Sequence, residues 1–129
     1  MIYAITLCLL IFAIVFTQSG LDKVLNYASE KAFVEKHLAK SLLKPVLPLL
    51  FPTITLLEVS AGIISLLAIF QIFLFGGFRL AYLSGVLVAS SLLSLLLGQR
   101  LAKDYAGAQT IVIYLIPVIL FFTLLEFAQ

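Results

Sequence analysis

Glu58 is the residue of this 129-residue chain whose type and position most need a chemical explanation. It lies near the start of an apolar run at 52–75 and is followed at helical spacing by Gly62 and Ser65. A charged side chain in hydrocarbon costs at least about 2.5 to 3.5 kcal/mol when nothing compensates it. Glu58 therefore requires a partner, a bound proton or a place close to the membrane surface.

Three explanations of Glu58 follow from the residues around it. The Thr55-x-x-Glu58 spacing just before an apolar run is typical of a capping box at a helix start. Alternatively, Glu58 forms a buried ion pair with Lys23, Arg100 or Lys103. In the third explanation it is a functional carboxylate, as a proton acceptor or as the hydrogen-bond partner of a quinone headgroup. The sequence leaves all three open, and it identifies no catalytic residue.

Metal and thiol chemistry have little support in the sequence. Cys8 is the only cysteine, so an intrachain disulfide is excluded and no CxxC or Cys/His cluster exists. His37 lies in a charged segment with no second ligand at metal spacing, and we expect it to be solvated. The net charge of +2 is small and scattered, which argues against nucleic acid. We therefore expect neither a metal nor a nucleic-acid partner.

The composition is that of a membrane protein. Hydrophobic residues make up 64% of the chain and charged residues 11%, with a mean hydropathy of +1.24. Because about 20 apolar residues cross a bilayer, the sequence predicts a single all-α membrane domain, 1–129, with four transmembrane helices in a bundle. The predicted spans are about 2–24, 52–75, 80–97 and 109–125. The prolines at 45, 48 and 52 are expected to delay the regular second span until residues 52–55.

A charged segment separates the first two predicted spans. Tyr27 and Val34 begin a helical apolar stripe that continues to Leu38 and Leu42, with lysines between them. This pattern predicts an amphipathic interfacial helix at about 27–43, which would contact anionic headgroups or a partner subunit.

Small residues recur at helical spacing within the spans and predict close helix packing. The positions concerned are Gly20, Gly62, Ala81, Gly85, Ala89, Ser94 and Gly98.

The chain also resembles the DoxX-like four-helix membrane proteins of bacteria. The similarity lies in Gly20-x-x-Lys23, Glu58-x-x-x-Gly62, Gly77-Phe78-Arg79 and Gln99-Arg100-x-x-Lys103-Asp104-Tyr105-Ala106-Gly107-Ala108. Some members of that family look like the small membrane subunit of a thiosulfate:quinone oxidoreductase, and others are associated with redox-stress assemblies. The resemblance implies a bacterial inner-membrane protein in which Lys23, Glu58, Arg79 and Arg100 occupy recurrent polar positions.

The distribution of cations predicts the orientation. Seven of the eight Lys and Arg residues fall in the first and third loops, and Arg79 is alone on the opposite side. By the positive-inside rule, loops one and three are expected in the cytoplasm and both termini in the periplasm.

With no extramembrane domain, metal set or nucleotide loop, the chain is expected to act as a small subunit or accessory of a larger membrane complex. Its expected partners are the lipid bilayer and other membrane subunits, with no cofactor and no catalytic chemistry of its own. The alternatives are a quinone-interacting redox subunit, for which quinone would be the cofactor, and a small proton-coupled transporter.

Overall fold

The computed structural model describes residues 1–37, 45 and 47–128, and it consists of helices. These are α1 (Ile2–Leu25), α2 (Tyr27–His37), α3 (Leu47–Phe75), α4 (Arg79–Leu101) and α5 (Tyr105–Ala128). Helices α1, α3, α4 and α5 are each long and apolar enough to cross a membrane. The predicted fold class, an all-α membrane protein with four such helices and a short helix after the first, is confirmed.

The four long helices surround one apolar core. Helix α1 packs mainly on α3, α3 on α4 and α4 on α5, and α5 also packs on α1. Phe121 on α5 is fully buried, and its ring meets that of Phe12 on α1 edge to face at 5.2 Å. This aromatic contact joins the first helix to the last and closes the bundle.

Helix α2 lies beside the bundle as the first part of the predicted interfacial helix. None of the side chains at 27–36 is buried. Tyr27 packs edge to face against Phe51 of α3 at 5.1 Å, and the Lys31 ammonium lies 5.9 Å from the Tyr27 ring centre. The remainder of the predicted segment, including Leu38 and Leu42, lies outside the described residues.

Helix α3 begins earlier than the sequence indicated. The prolines were expected to delay the regular helix until residues 52–55, whereas α3 starts at Leu47 and continues through Pro52. Pro48 is the second helical residue, where the backbone N–H has no partner within a helix, so a proline is tolerated there. Pro52 gives up one helical hydrogen bond. The expectation was wrong because it counted every proline as a break.

Two glycines bring α1 and α3 into close contact. A Cβ on Gly20 would lie 2.7 Å from Cγ2 of Val59, and one on Gly62 would lie 2.8 Å from the backbone nitrogen of Thr17. Real side chains do not tolerate such distances, so both positions require glycine for this helix separation.

The small residues predicted on α4 fall into two groups. Ala81 and Gly85 are buried, and a Cβ on Gly85 would lie 2.7 Å from Cζ of Phe122. Ala89 is partly buried against the core. Ser94 is exposed and a Cβ on Gly98 would meet open space, so these two positions do not pack against another described helix.

Candidate functional site: a buried ion pair between α1 and α3

Glu58 forms an ion pair with Lys23 inside the bundle. Nζ of Lys23 lies 2.9 Å from Oε2 of Glu58. Ser19 donates a hydrogen bond to the same oxygen at 2.9 Å, and Lys23 donates one to Oγ of Ser19 at 3.0 Å. The Glu58 side chain is 1% exposed and that of Lys23 15% exposed. The three side chains form a closed triangle in which the buried charge is compensated.

The helix geometry explains how this triangle assembles. Ser19 and Lys23 are four residues apart on α1, so they lie on one face about one turn apart. Gly20 stands between them on the surface that contacts α3 at Val59, the residue after Glu58. The close approach that Gly20 permits therefore brings the Glu58 carboxylate between the hydroxyl and the ammonium group.

The capping-box explanation of Glu58 does not hold. Glu58 is 11 residues beyond Leu47, about 16 Å along α3 from its start. Oγ1 of Thr55 donates to the carbonyl of Phe51 at 2.9 Å, a bond within the helix, and does not cap a free backbone N–H. Of the three explanations from the sequence, the structure displays the ion pair.

Arg100 and Lys103 lie elsewhere. The Arg100 guanidinium carbon is 4.7 Å from the ring centre of Tyr105, at the turn between α4 and α5. Lys103 is exposed in that turn with a φ of 61°. Among the described residues the structure brings Lys23 to Glu58, and it groups Arg100 and Lys103 at the turn instead.

A second polar contact lies deeper between α3 and α4. The hydroxyl oxygens of Ser65 and Ser84 are 2.6 Å apart, and Ser65 donates to the carbonyl of Ala61 at 2.7 Å. Because the Ser65 proton is used in that bond, Ser84 donates to Ser65. Ser91 is fully buried and its hydroxyl has no partner among the described residues. Ser91 lies two turns beyond Ser84 on α4, and Glu58 lies two turns before Ser65 on α3. Because Ser65 and Ser84 are in contact and the two helices run in opposite directions, Ser91 and Glu58 lie at the same level of the bundle.

Two polar roles were missed by the sequence argument. Ser19, to which the sequence analysis gave no polar role, is the hydroxyl partner of Glu58. Its spacing of four from Lys23 was the available signal. Gln71 accepts a hydrogen bond from the backbone nitrogen of Leu80 at 2.9 Å and so caps the start of α4. Its position just before a tight Gly76-Gly77 turn was the corresponding signal.

The triangle suits structural compensation of charge better than ligand exchange. Glu58 is enclosed, whereas Ser19 and Lys23 are half-buried, so a molecule approaching from outside would meet the ammonium group first. In the part of the chain that the structure describes, no three His, Cys, Asp or Glu residues stand together as a metal site would need.

The fold and site define a multi-pass membrane protein with an ion pair buried between its first and second membrane-spanning helices. No family model matches this chain, and no curated protein or solved structure shows significant similarity to it.

Proposed function

We propose that this protein is a small integral subunit or accessory of a larger membrane complex and carries out no catalysis by itself. The observation that carries the proposal is α2, a charged helix that stands beside the bundle and buries none of its side chains at 27–36. A helix in this position can dock on a partner without any rearrangement of the membrane-spanning helices.

The Lys23–Glu58 pair supports the same proposal. An enclosed carboxylate with two partners on one oxygen is held in place, which suits a group that fixes how helices meet. Such a pair stabilises one arrangement of α1 and α3, and a rigid bundle is what an accessory subunit offers its complex.

The resemblance to DoxX-like proteins supports a bacterial inner-membrane location. The motif from Gln99 to Ala108 forms the α4–α5 turn, and the Glu58 and Lys23 motifs form the ion pair. We further propose that loops one and three are cytoplasmic and both termini periplasmic, on the strength of seven cations against one. A reporter fused after residue 129 that is active only in the cytoplasm would contradict this orientation.

The subunit proposal is tested by site-specific photocrosslinking of the full-length protein in its native membranes. A photoreactive residue at Lys36 on α2 should give one defined protein adduct in high yield. The same residue at Ile119 on α5, which is 67% exposed, is the matched control and should label mainly lipid. Lipid-only labelling at both positions would refute the proposal, as would a purified single protein with full activity.

A quinone-interacting redox subunit is the second candidate. The observation in its favour is that the Lys23 side chain remains 15% exposed beside a buried carboxylate, so its ammonium group could donate to a quinone carbonyl. Its test is the Glu58→Gln variant in the intact assembly. Loss of quinone-dependent turnover with normal assembly would support this candidate, and equal loss of both would mean that Glu58 is structural.

A further inference from the structure

An open groove of about 370 Å³ lies between α4 and α5, at the end of the bundle where their connecting turn is found. Six residues line it, namely Leu96, Arg100, Tyr105, Ala108, Gln109 and Val112. The ion pair of Lys23 and Glu58 is not among them, so the groove is separate from the site described above.

The groove changes from polar to apolar along its length. Arg100 and Tyr105 lie beside the turn, at the ends of the two long apolar helices. Leu96 is one turn from Arg100 along α4, and Val112 is about 10 Å from Tyr105 along α5. Since both helices run from the turn towards the membrane centre, the cation is at the surface end and the aliphatic side chains are at the deeper end.

The cation at the surface end is held in position. The Arg100 guanidinium carbon lies 4.7 Å from the centre of the Tyr105 ring, a cation–π contact that holds the cation beside the groove. The turn beneath it is hydrogen-bonded throughout, with Lys103 N bound to Arg100 O at 3.1 Å and Asp104 N to Gln99 O at 2.9 Å. Oδ1 of Asp104 then accepts from Gly107 N at 3.0 Å at the start of α5.

We propose that this groove binds one anionic phospholipid. The headgroup phosphate accepts hydrogen bonds from the Arg100 guanidinium and the Gln109 amide, and an acyl chain lies over Leu96 and Val112. Val112 is 48% and Ile116 62% exposed, so an exposed apolar surface of α5 continues beyond the groove and can accommodate the rest of the acyl chain.

Charge decides between this occupant and others. A covering apolar helix would bury the Arg100 charge and would itself supply no counter-charge, which is costly in a membrane. A zwitterionic lipid would bring a second cation next to Arg100. An anionic phospholipid supplies both the negative charge and the hydrocarbon, and it is the lipid to which basic pockets between membrane helices bind.

The test is native mass spectrometry of the purified full-length protein in detergent with added phosphatidylglycerol or phosphatidylethanolamine. Wild-type protein should retain phosphatidylglycerol at least about tenfold more tightly than phosphatidylethanolamine. Arg100→Gln should lower phosphatidylglycerol affinity about tenfold, as expected for one lost charge-assisted hydrogen bond. Arg79→Gln, which removes an equal charge from the exposed opposite end of α4, is the control and should change it less than twofold.

Val112→Trp is a second variant, which blocks the deep end of the groove and leaves Arg100 in place. This variant should also weaken phosphatidylglycerol binding. In a separate measurement, soluble glycerol phosphate should compete poorly with phosphatidylglycerol for the wild-type protein, because it lacks the acyl chains. Equal retention of both lipids, equal effects of Arg100→Gln and Arg79→Gln, or full competition by glycerol phosphate would each overturn the proposal. Helical circular dichroism and a single gel-filtration peak establish that each variant is folded.

Discussion

Removing either member of the Lys23–Glu58 pair should lower the free energy of unfolding, and the decrease should differ between the two variants. Breaking a buried pair by deleting one partner costs about 3 to 5 kcal/mol, because the remaining charge is uncompensated. Lys23→Met should show that full effect, since it leaves Glu58, which is 1% exposed, without its cation.

The Glu58→Gln variant should cost less, about 1 to 3 kcal/mol. Lys23 is already 15% exposed, and its flexible stem can carry the ammonium group to the surface. The double variant Lys23→Met with Glu58→Met removes both charges and should lie within about 1 kcal/mol of wild type, or above it, because paired charges buried in a protein are often replaceable by apolar side chains.

The free energy of unfolding can be measured by titrating the protein with sodium dodecyl sulfate in mixed micelles and following helical circular dichroism. Lys36→Met, which removes an exposed lysine of α2, is the control and should change the free energy by less than about 0.5 kcal/mol. If both single variants matched this control, neither charge would depend on the other for compensation inside the bundle. If the two single losses simply added in the double variant, Lys23 and Glu58 would not be energetically coupled.

Three further substitutions test the helix contacts and the α4–α5 turn by the same unfolding measurement. Gly62→Ala should cost about 1 to 3 kcal/mol because its Cβ would meet the Thr17 backbone at 2.8 Å. Gly98→Ala, whose Cβ meets open space, should stabilise the protein by about 0.5 to 1 kcal/mol. If Gly98→Ala were the more destabilising of the two, α1 and α3 would not be in close contact. Asp104→Ala should cost about 0.5 to 2 kcal/mol through loss of the α5 cap, and an unchanged free energy would contradict that role. Lys103→Gly should stabilise by about 1 kcal/mol because φ is 61° there, and a loss of stability would mean that the lysine side chain contributes more than its backbone costs.

Hydropathy alone was enough to predict the four membrane-spanning helices, because length and apolar content are sufficient for that purpose. Hydropathy did not predict the residue at which α3 starts. Whether Pro48 and Pro52 break a helix depends on which turn they occupy, and a rule that treats each proline as a stop places the boundary too late. Moving the start from 52–55 back to Leu47 also moves Glu58 from the first turn into the helix body, which removes its role as a cap.

Small residues on α4 show a similar limit. A spacing of four at 81, 85 and 89 and again at 90, 94 and 98 gave two equivalent faces in the sequence. The two faces differ in the structure, since Gly85 contacts Phe122 whereas a Cβ on Gly98 would face open space and Ser94 is exposed. Small side chains permit close approach, but the neighbours that would make use of it are set by the arrangement of all four helices.

The partner of Glu58 depended on a quantity that composition does not contain, the register between α1 and α3. Three cations were compatible with Glu58 by topology, and choosing among them required knowing which turns of the helices face each other. The glycines supply that information, because Gly20 meets Val59 and Gly62 meets Thr17, pairs whose residue numbers each add to 79 as in an antiparallel contact. In that register Glu58 falls opposite residue 21, midway between Ser19 and Lys23, the two side chains that bind it. The motifs around Gly20 and Gly62 therefore act together: the glycines set the register, and the register selects the ion pair.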